Sequence, residues 1–137
     1  MIACLACLGG DWSSRGRWSI DDRIRSADNG PPEGSPGLPI ALDDDTLIVG
    51  SPDDEQRGLP SGSAYVFDRN EGGWNEWGQV EELFPDIPYP SSGFGSAVAI
   101  DGETLVVGAT DQSESVEVYR EGVNDERSWT RVARLDD

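Results

Sequence analysis

Three kinds of residue in this sequence could carry chemistry: a Cys-x-x-Cys pair at Cys4 and Cys7, short runs of carboxylates, and scattered aromatic side chains. A Cys-x-x-Cys pair serves as a redox dithiol or as half of a tetrahedral zinc site. Here the chain holds two Cys and no His, so no second pair completes the coordination, and no βαβ pattern surrounds the first. The carboxylate runs Asp43-Asp44-Asp45, Asp53-Asp54-Glu55 and Asp101-Gly102-Glu103 invite a calcium reading. Calcium takes about six to eight oxygens, which needs a longer loop than these, so solvated turns are the expected state. Nucleophilic catalysis lacks an activating base, since all ten basic residues are Arg and there is neither His nor Lys. With 27 acidic residues no carboxylate pair stands out for glycosidase-like work. Gly58, Gly62, Gly72 and Gly73 fit turns and not a phosphate-cradling loop. The expectation is a non-enzymatic chain without cofactor or metal.

Composition narrows the partners. The 137 residues carry a formal charge of -17, which repels phosphate backbones and anionic lipid and so excludes nucleic acid as a natural partner. No apolar run approaches the roughly 20 residues that span a bilayer. Exclusive use of Arg fits either G- and C-rich codons or adaptation to high salt, where screening relieves self-repulsion. The opening MIACLACLGG is apolar and small; it reads as the remnant of a signal sequence, with Leu5-Ala6-Cys7 akin to the end of a lipoprotein signal, or as an irregular terminus.

The chain repeats itself. Offset by 58 residues, IALDDDTLIVGSP at 40–52 lies over VAIDGETLVVGAT at 98–110, with Ala41, Asp43, Thr46, Leu47, Val49 and Gly50 matched by identical residues. At an offset of 52, Ala64, Val66 and Phe67 fall on Val116, Val118 and Tyr119, Trp77 on Trp129, Val80 on Val132, and Leu83 on Leu135. Trp18 and Ile24 form a third partial copy. Within a unit, two short apolar runs flank an acidic turn, and Asp-Gly between such runs is a strong hairpin signal. Those runs predict strands covered on both faces, while the third begins to alternate and the fourth carries charges, so burial is expected to decline from first strand to fourth. A four-stranded antiparallel unit of this kind is a propeller blade; a sandwich would not explain the recurring spacing.

Phe94-Gly95 before the first strand and Gly108-Ala109 at the end of the second resemble an FG-GAP repeat, the unit of integrin α-type β-propellers and of many prokaryotic surface proteins. The corresponding residues of the first copy are Pro36-Gly37 and Gly50-Ser51-Pro52. The resemblance implies an all-β chain: a partial β-propeller of two four-stranded antiparallel blades plus one N-terminal strand. The expected divisions are an irregular N-terminus at 1–16, a last strand and linker at 17–35, a first blade at 36–83, an inter-blade loop at 84–93, and a second blade at 94–137. Members of the family often bind calcium through a D-x-D-x-D-G loop, which the short turns here lack.

Propellers close with about four to eight blades, so further blades of a longer chain, or other copies, are expected to complete the ring. Trp18, Trp77 and Trp129 recur with the repeat and are assigned to packing between blades. Trp74 and Tyr89, together with Trp77, could alternatively form a sugar-stacking surface; Trp12, Trp74 and Tyr89 are the candidates for ligand contact. The resemblance implies recognition of a protein or glycan outside the cell or at its surface, through the longest loops at 51–62, 68–76 and 84–93. The rival readings are a purely architectural element and an accessory segment of a larger exported hydrolase.

Overall fold

The computed structural model describes residues 38–55, 60–74, 76–110, 114–122 and 128–136. Cys4, Cys7, Trp12, Trp18, Pro36, Gly37 and the expected N-terminal strand lie outside the described residues. Among the described residues eight strands form two sheets. The first runs β1 (Ile40–Asp43), β2 (Thr46–Ser51), β3 (Ser63–Gly73) and β4 (Glu76–Leu83); the second runs β5 (Phe94–Asp101), β6 (Thr104–Ala109), β7 (Ser115–Glu121) and β8 (Trp129–Asp136). Each is a four-stranded antiparallel meander in chain order, the all-β architecture expected of propeller blades.

Local chemistry accounts for the strands. Aliphatic and β-branched runs favour extended backbone, and two-residue turns join β1 to β2 and β5 to β6. The first turn residue has positive φ in both, +47° at Asp44 and +54° at Gly102, a conformation that Asp tolerates and Gly adopts freely. The two sheets share one register: Ile48 pairs with Val66 as Val106 pairs with Val118, and Ala64 pairs with Leu83 as Val116 pairs with Leu135. Both also break register at the same place, after Val66 and after Val118. The sequence alignment is therefore a structural one.

One core lies between the sheets. The first contributes Ile48, Ala64, Val66 and Leu83; the second contributes Phe94, Leu105, Val107, Ala109, Tyr119 and Trp129. Burying a side chain of Leu, Ile or Phe size contributes about 1.5–3 kcal/mol, so this cluster supplies much of the cohesion. A second cluster, Leu47, Val49, Tyr65 and Phe67, occupies the other face of the first sheet, with Leu38, Leu42 and Trp77 against it.

Backbone meets backbone at one seam of this interface. A Cβ on Gly50 would lie 1.9 Å from the Gly95 carbonyl oxygen, and one on Gly95 would lie 2.2 Å from the Ser63 carbonyl oxygen. Gly95 also has φ +92°, a region that side chains disfavour. Gly62 bridges Phe94 in parallel beside them. The glycine near the end of β2 in one unit thus receives the Phe-Gly start of the next, which gives the sequence motif its physical reason.

Two expectations are corrected. Burial peaks in the second and third strands: β2 is buried at Leu47–Ser51, while β1 and β5 include exposed positions at Ile40, Ala97 and Ala99. Among the described residues the first strand is an edge of its own sheet, with a strand neighbour on one side only. Coverage on both faces holds for β2 but not for β6, whose residues alternate between buried and half-buried. In addition, 68–76 is not a loop. Strand β3 continues to Gly73 and pairs with β4 from Ala64↔Leu83 to Gly73↔Glu76, an irregularity between Arg69 and Gly73 absorbing the extra residues near Asn70, whose φ is +71°.

Gly50→Ala is expected to cost more than about 3 kcal/mol or to prevent folding, because the new methyl collides with backbone. Gly108→Ala, at the matching place in the second sheet, meets only the Ala97 side chain at 3.4 Å and the Ala97 carbonyl oxygen at 3.8 Å. It is expected to leave stability within about 1 kcal/mol of the parent, as thermal unfolding of the pair of variants will read.

Candidate ligand-binding loop end

The connections of the two sheets divide between opposite ends. Hairpin turns at Asp44-Asp45, Trp74 and Gly102-Glu103 occupy one end, since they join β1 to β2, β3 to β4 and β5 to β6. Residues 51–55, 60–62 and 84–93 occupy the other, where β2 and β4 finish and β3 and β5 begin.

At that second end the two long segments are stitched together. The Ser91 amide donates to the Pro60 carbonyl at 2.6 Å and the Phe94 amide to the Ser61 carbonyl at 3.1 Å. The Ser92 hydroxyl donates to the same Ser61 oxygen at 2.7 Å. Ser61 and Ser92 are both buried, so these bonds are shielded from water. The 51–62 segment is pinned from within as well: buried Asp54 accepts from the hydroxyls of Ser63 and Tyr65, each at 2.5 Å. Burial, followed by the bond to Asp54, pushes the Tyr65 phenol far above its ordinary value and keeps it a donor.

A second anchor holds the front of 84–93 to the other sheet. Glu117 is 1% exposed. Its carboxylate accepts from the Asp86 amide at 2.9 Å and from the Tyr119 hydroxyl at 2.7 Å. Arg131 lies 3.4 Å from Glu117 and 2.6 Å from Asp86, linking both carboxylates. Burial and then Glu117 raise the Tyr119 phenol, while the bond to Asp86 is the leading cause that holds the Arg131 guanidinium even more firmly protonated. Between these two anchors Ile87 and Tyr89 stand 45% and 47% exposed in a stretch that also carries Pro85, Pro88 and Pro90. Proline and the anchored ends leave this stretch few conformations to lose on binding.

The aromatic residues do not form one surface. Trp74 is 93% exposed at the hairpin end, whereas Tyr89 belongs to the opposite end. The eight residues of β4 separate the two ends, a distance of about 25 Å at the usual strand rise. Trp77 is half-buried against the second cluster, with the Arg69 guanidinium 5.2 Å from its ring centre. Trp129 is buried in the core between the sheets, where Phe94 and Ala109 also lie. Gly95 and Gly50 form the seam already described, and Ser51 and Pro52 lead into the Asp54 segment.

The turn carboxylates do not fit calcium. Asp43 accepts a hydrogen bond from the Gly102 amide at 2.7 Å, and Asp45 pairs with Arg69 at 3.1 Å. Among the described residues no group of three or more Asp, Glu, Cys or His converges as metal ligands do. Asp54, expected in a solvated turn, is buried instead because the Ser63 and Tyr65 hydroxyls satisfy its carboxylate; Glu81 and Glu117 are the residues sequence reasoning missed. Glu81 faces the second sheet and accepts from the Trp129 amide at 2.5 Å. Partial burial pushes its carboxyl above the usual range, and that bond draws it part of the way back.

An FG-GAP repeat family model matches the chain at residues 26–67 and 77–121, more than half its length. The chain belongs to the FG-GAP repeat family. The second match starts in β4 of one sheet and ends in β7 of the next, so a sequence repeat straddles two blades. No curated protein and no solved structure matches the chain. The FG-GAP resemblance of Phe94-Gly95 and Gly108-Ala109 is thereby established, with the two sheets as consecutive blades of a partial β-propeller.

Glu117→Ala takes away the acceptor of the Asp86 amide and the 2.7 Å acceptor of the Tyr119 hydroxyl, leaves Arg131 paired with Asp86, and is expected to cost about 3 kcal/mol in urea unfolding. A pH test isolates Glu81. Its folded form binds a proton more readily than the unfolded form, so its contribution to stability is greatest at low pH and falls as pH rises through the elevated value. Glu81→Gln keeps an acceptor for Trp129 without the charge. The stability of the variant relative to the parent should therefore improve between pH 4 and pH 7, roughly the span above the ordinary carboxylate value; a relative decline would contradict this assignment.

Proposed function

We propose that this FG-GAP chain is a non-enzymatic recognition module of an exported or cell-surface protein, and that it takes a protein or glycan ligand on the loop end built by residues 51–55, 60–62 and 84–93. The observation that carries this reading is the display of Ile87 and Tyr89 on a segment tied down at both ends, by Glu117 and Arg131 on one side and by Ser61 on the other. Loops held on a rigid scaffold are the usual seat of binding. An exposed Tyr offers a broad face at little entropic cost, to a sugar ring or to a protein side chain. Exposed Asp53 and Glu55, which follow β2 at the same end, favour a ligand with basic character.

The absence of His and Lys supports the non-enzymatic part of the reading, since the usual bases that activate a nucleophile are missing. The family resemblance supports the extracellular part. Binding of the full chain to immobilised glycan and surface-protein panels tests the whole. Tyr89→Ala is expected to weaken the interaction by about 2 kcal/mol, some thirtyfold, with thermal stability unchanged. Trp74→Ala, at the opposite end, should leave binding untouched. A folded chain that binds no member of either panel would be an architectural element, and the recognition reading would fall.

A further inference from the structure

The Asp101-Gly102 turn carries chemistry that ligand recognition does not use. It is the one Asp-Gly pair in the sequence. In such a pair the glycine nitrogen can attack the side-chain carboxyl of the preceding aspartate, because glycine has no Cβ to block the approach. Asp101 is exposed, so water reaches its carboxyl. The space at Gly102 is open as well: a Cβ placed there would meet nothing within 4 Å.

The reaction needs no reagent but water. The Gly102 nitrogen bonds to Cγ of the protonated form of the Asp101 carboxyl, the Cγ–OH bond breaks, and the hydroxyl leaves with the amide proton as water. The product is a five-membered succinimide ring. Water then opens the ring at one of its two carbonyls. Attack at the side-chain carbonyl restores aspartate, and attack at the main-chain carbonyl leaves the backbone running through Cβ and Cγ, as isoaspartate.

Two features of the fold oppose the first step. Asp101 pairs with Thr104 and Ile100 with Leu105, which holds the backbone in the strand ladder up to the turn. The attacking nitrogen is also engaged: the Gly102 amide donates to the Asp43 carboxylate of the first blade at 2.7 Å, a contact between residues 59 apart in the chain. To attack, that nitrogen must release its proton and gather negative charge. A carboxylate that accepts the proton's hydrogen bond retains it, and its own charge opposes the build-up at so short a distance. The first blade needs no such guard, because its equivalent pair is Asp43-Asp44 and the Asp44 side chain stands where the second blade has glycine.

We propose that Asp101-Gly102 is a site of spontaneous isoaspartate formation that Asp43 of the neighbouring blade keeps silent. Conversion at this site is self-sustaining. Isoaspartate adds a carbon to the backbone within a two-residue turn that sets the register of β5 and β6, and the shift carries the Gly102 amide away from Asp43. One polar tie between the blades is then lost. None of this depends on what the loop end binds, so its failure and a failure of ligand binding are separate results.

The test holds the full chain at neutral pH and follows isoaspartate at residue 101 by peptide mapping, which separates it from any formed at Asn29-Gly30. Asp43→Ala is expected to speed formation at least about tenfold, the effect of losing a charge-assisted hydrogen bond to the reacting nitrogen. Asp43→Asn keeps an acceptor without the charge and should fall between parent and Asp43→Ala; it carries the comparison where circular dichroism shows the alanine variant unfolded. Glu81→Ala removes the acceptor of the Trp129 amide at the same junction without touching Gly102, and its rate should stay close to that of the parent. Gly102→Asp, which rebuilds the turn of the first blade, should slow formation below the parent rate. Equal rates in the parent and the folded Asp43 variants would overturn the proposal. Acceleration by folded Glu81→Ala as large as that by Asp43→Ala would overturn it too, since general loosening of the junction would then be the cause.

Discussion

The close passage of Gly95 against Gly50 is the constraint on which the arrangement of the two blades depends. Apolar attraction between sheets is not directional and would tolerate sliding by a residue. A backbone contact that leaves no room for a methyl group does not. Once that seam is set, Phe94 is committed to the interior, and Ile48, Val66 and Leu83 meet Leu105, Val107 and Trp129 in one register. The parallel bridge from Gly62 to Phe94 then fixes where the 51–62 segment leaves the first blade.

Polar contacts refine what the seam positions. Asp43 takes the Gly102 amide, Glu81 the Trp129 amide, and Glu117 the Asp86 amide, so carboxylates from strands cap backbone donors at the blade junction and its connecting segment. Each satisfies a donor that would otherwise lose its water without compensation. In a chain of charge -17 these few carboxylates serve cohesion, while most of the other carboxylates among the described residues are exposed, where like charges repel. The family match spanning β4 to β7 fits this division of labour: Glu81 in β4 belongs, by sequence repeat and by contact, with the blade that follows it.

Much of the fold was legible in the sequence. The acidic two-residue turns, the aliphatic runs around them and the paired offsets of 58 and 52 marked two copies of a four-stranded unit, and the observed register follows those offsets residue by residue. The extent of β3 was not legible, because Asn70, Glu71, Gly72 and Gly73 have turn composition, and only pairing with β4 keeps them extended. The candidate site was less legible still. Tyr89 was visible as an aromatic residue among prolines, but its separation from Trp74 along β4 follows from topology. Glu117 was lost among 27 acidic residues and Asp54 stood in a run read as a solvated turn, since nothing in the local sequence distinguishes a buried carboxylate from a solvated one.

By itself the sequence determined the strands, their turns and their repetition, because side-chain alternation, backbone preference and turn chemistry act between residues close in the chain. Tertiary structure decided which carboxylates are buried, which aromatic residues stay in water, and which of two similar apolar faces is covered. Those outcomes depend on partners far away along the chain: Glu81 on Trp129, Ser61 on Ser92, Gly50 on Gly95. Val66 and Val118 are the same residue in the same register, yet one is sealed and the other is not, because a second blade lies over the first and the face of the second stands open.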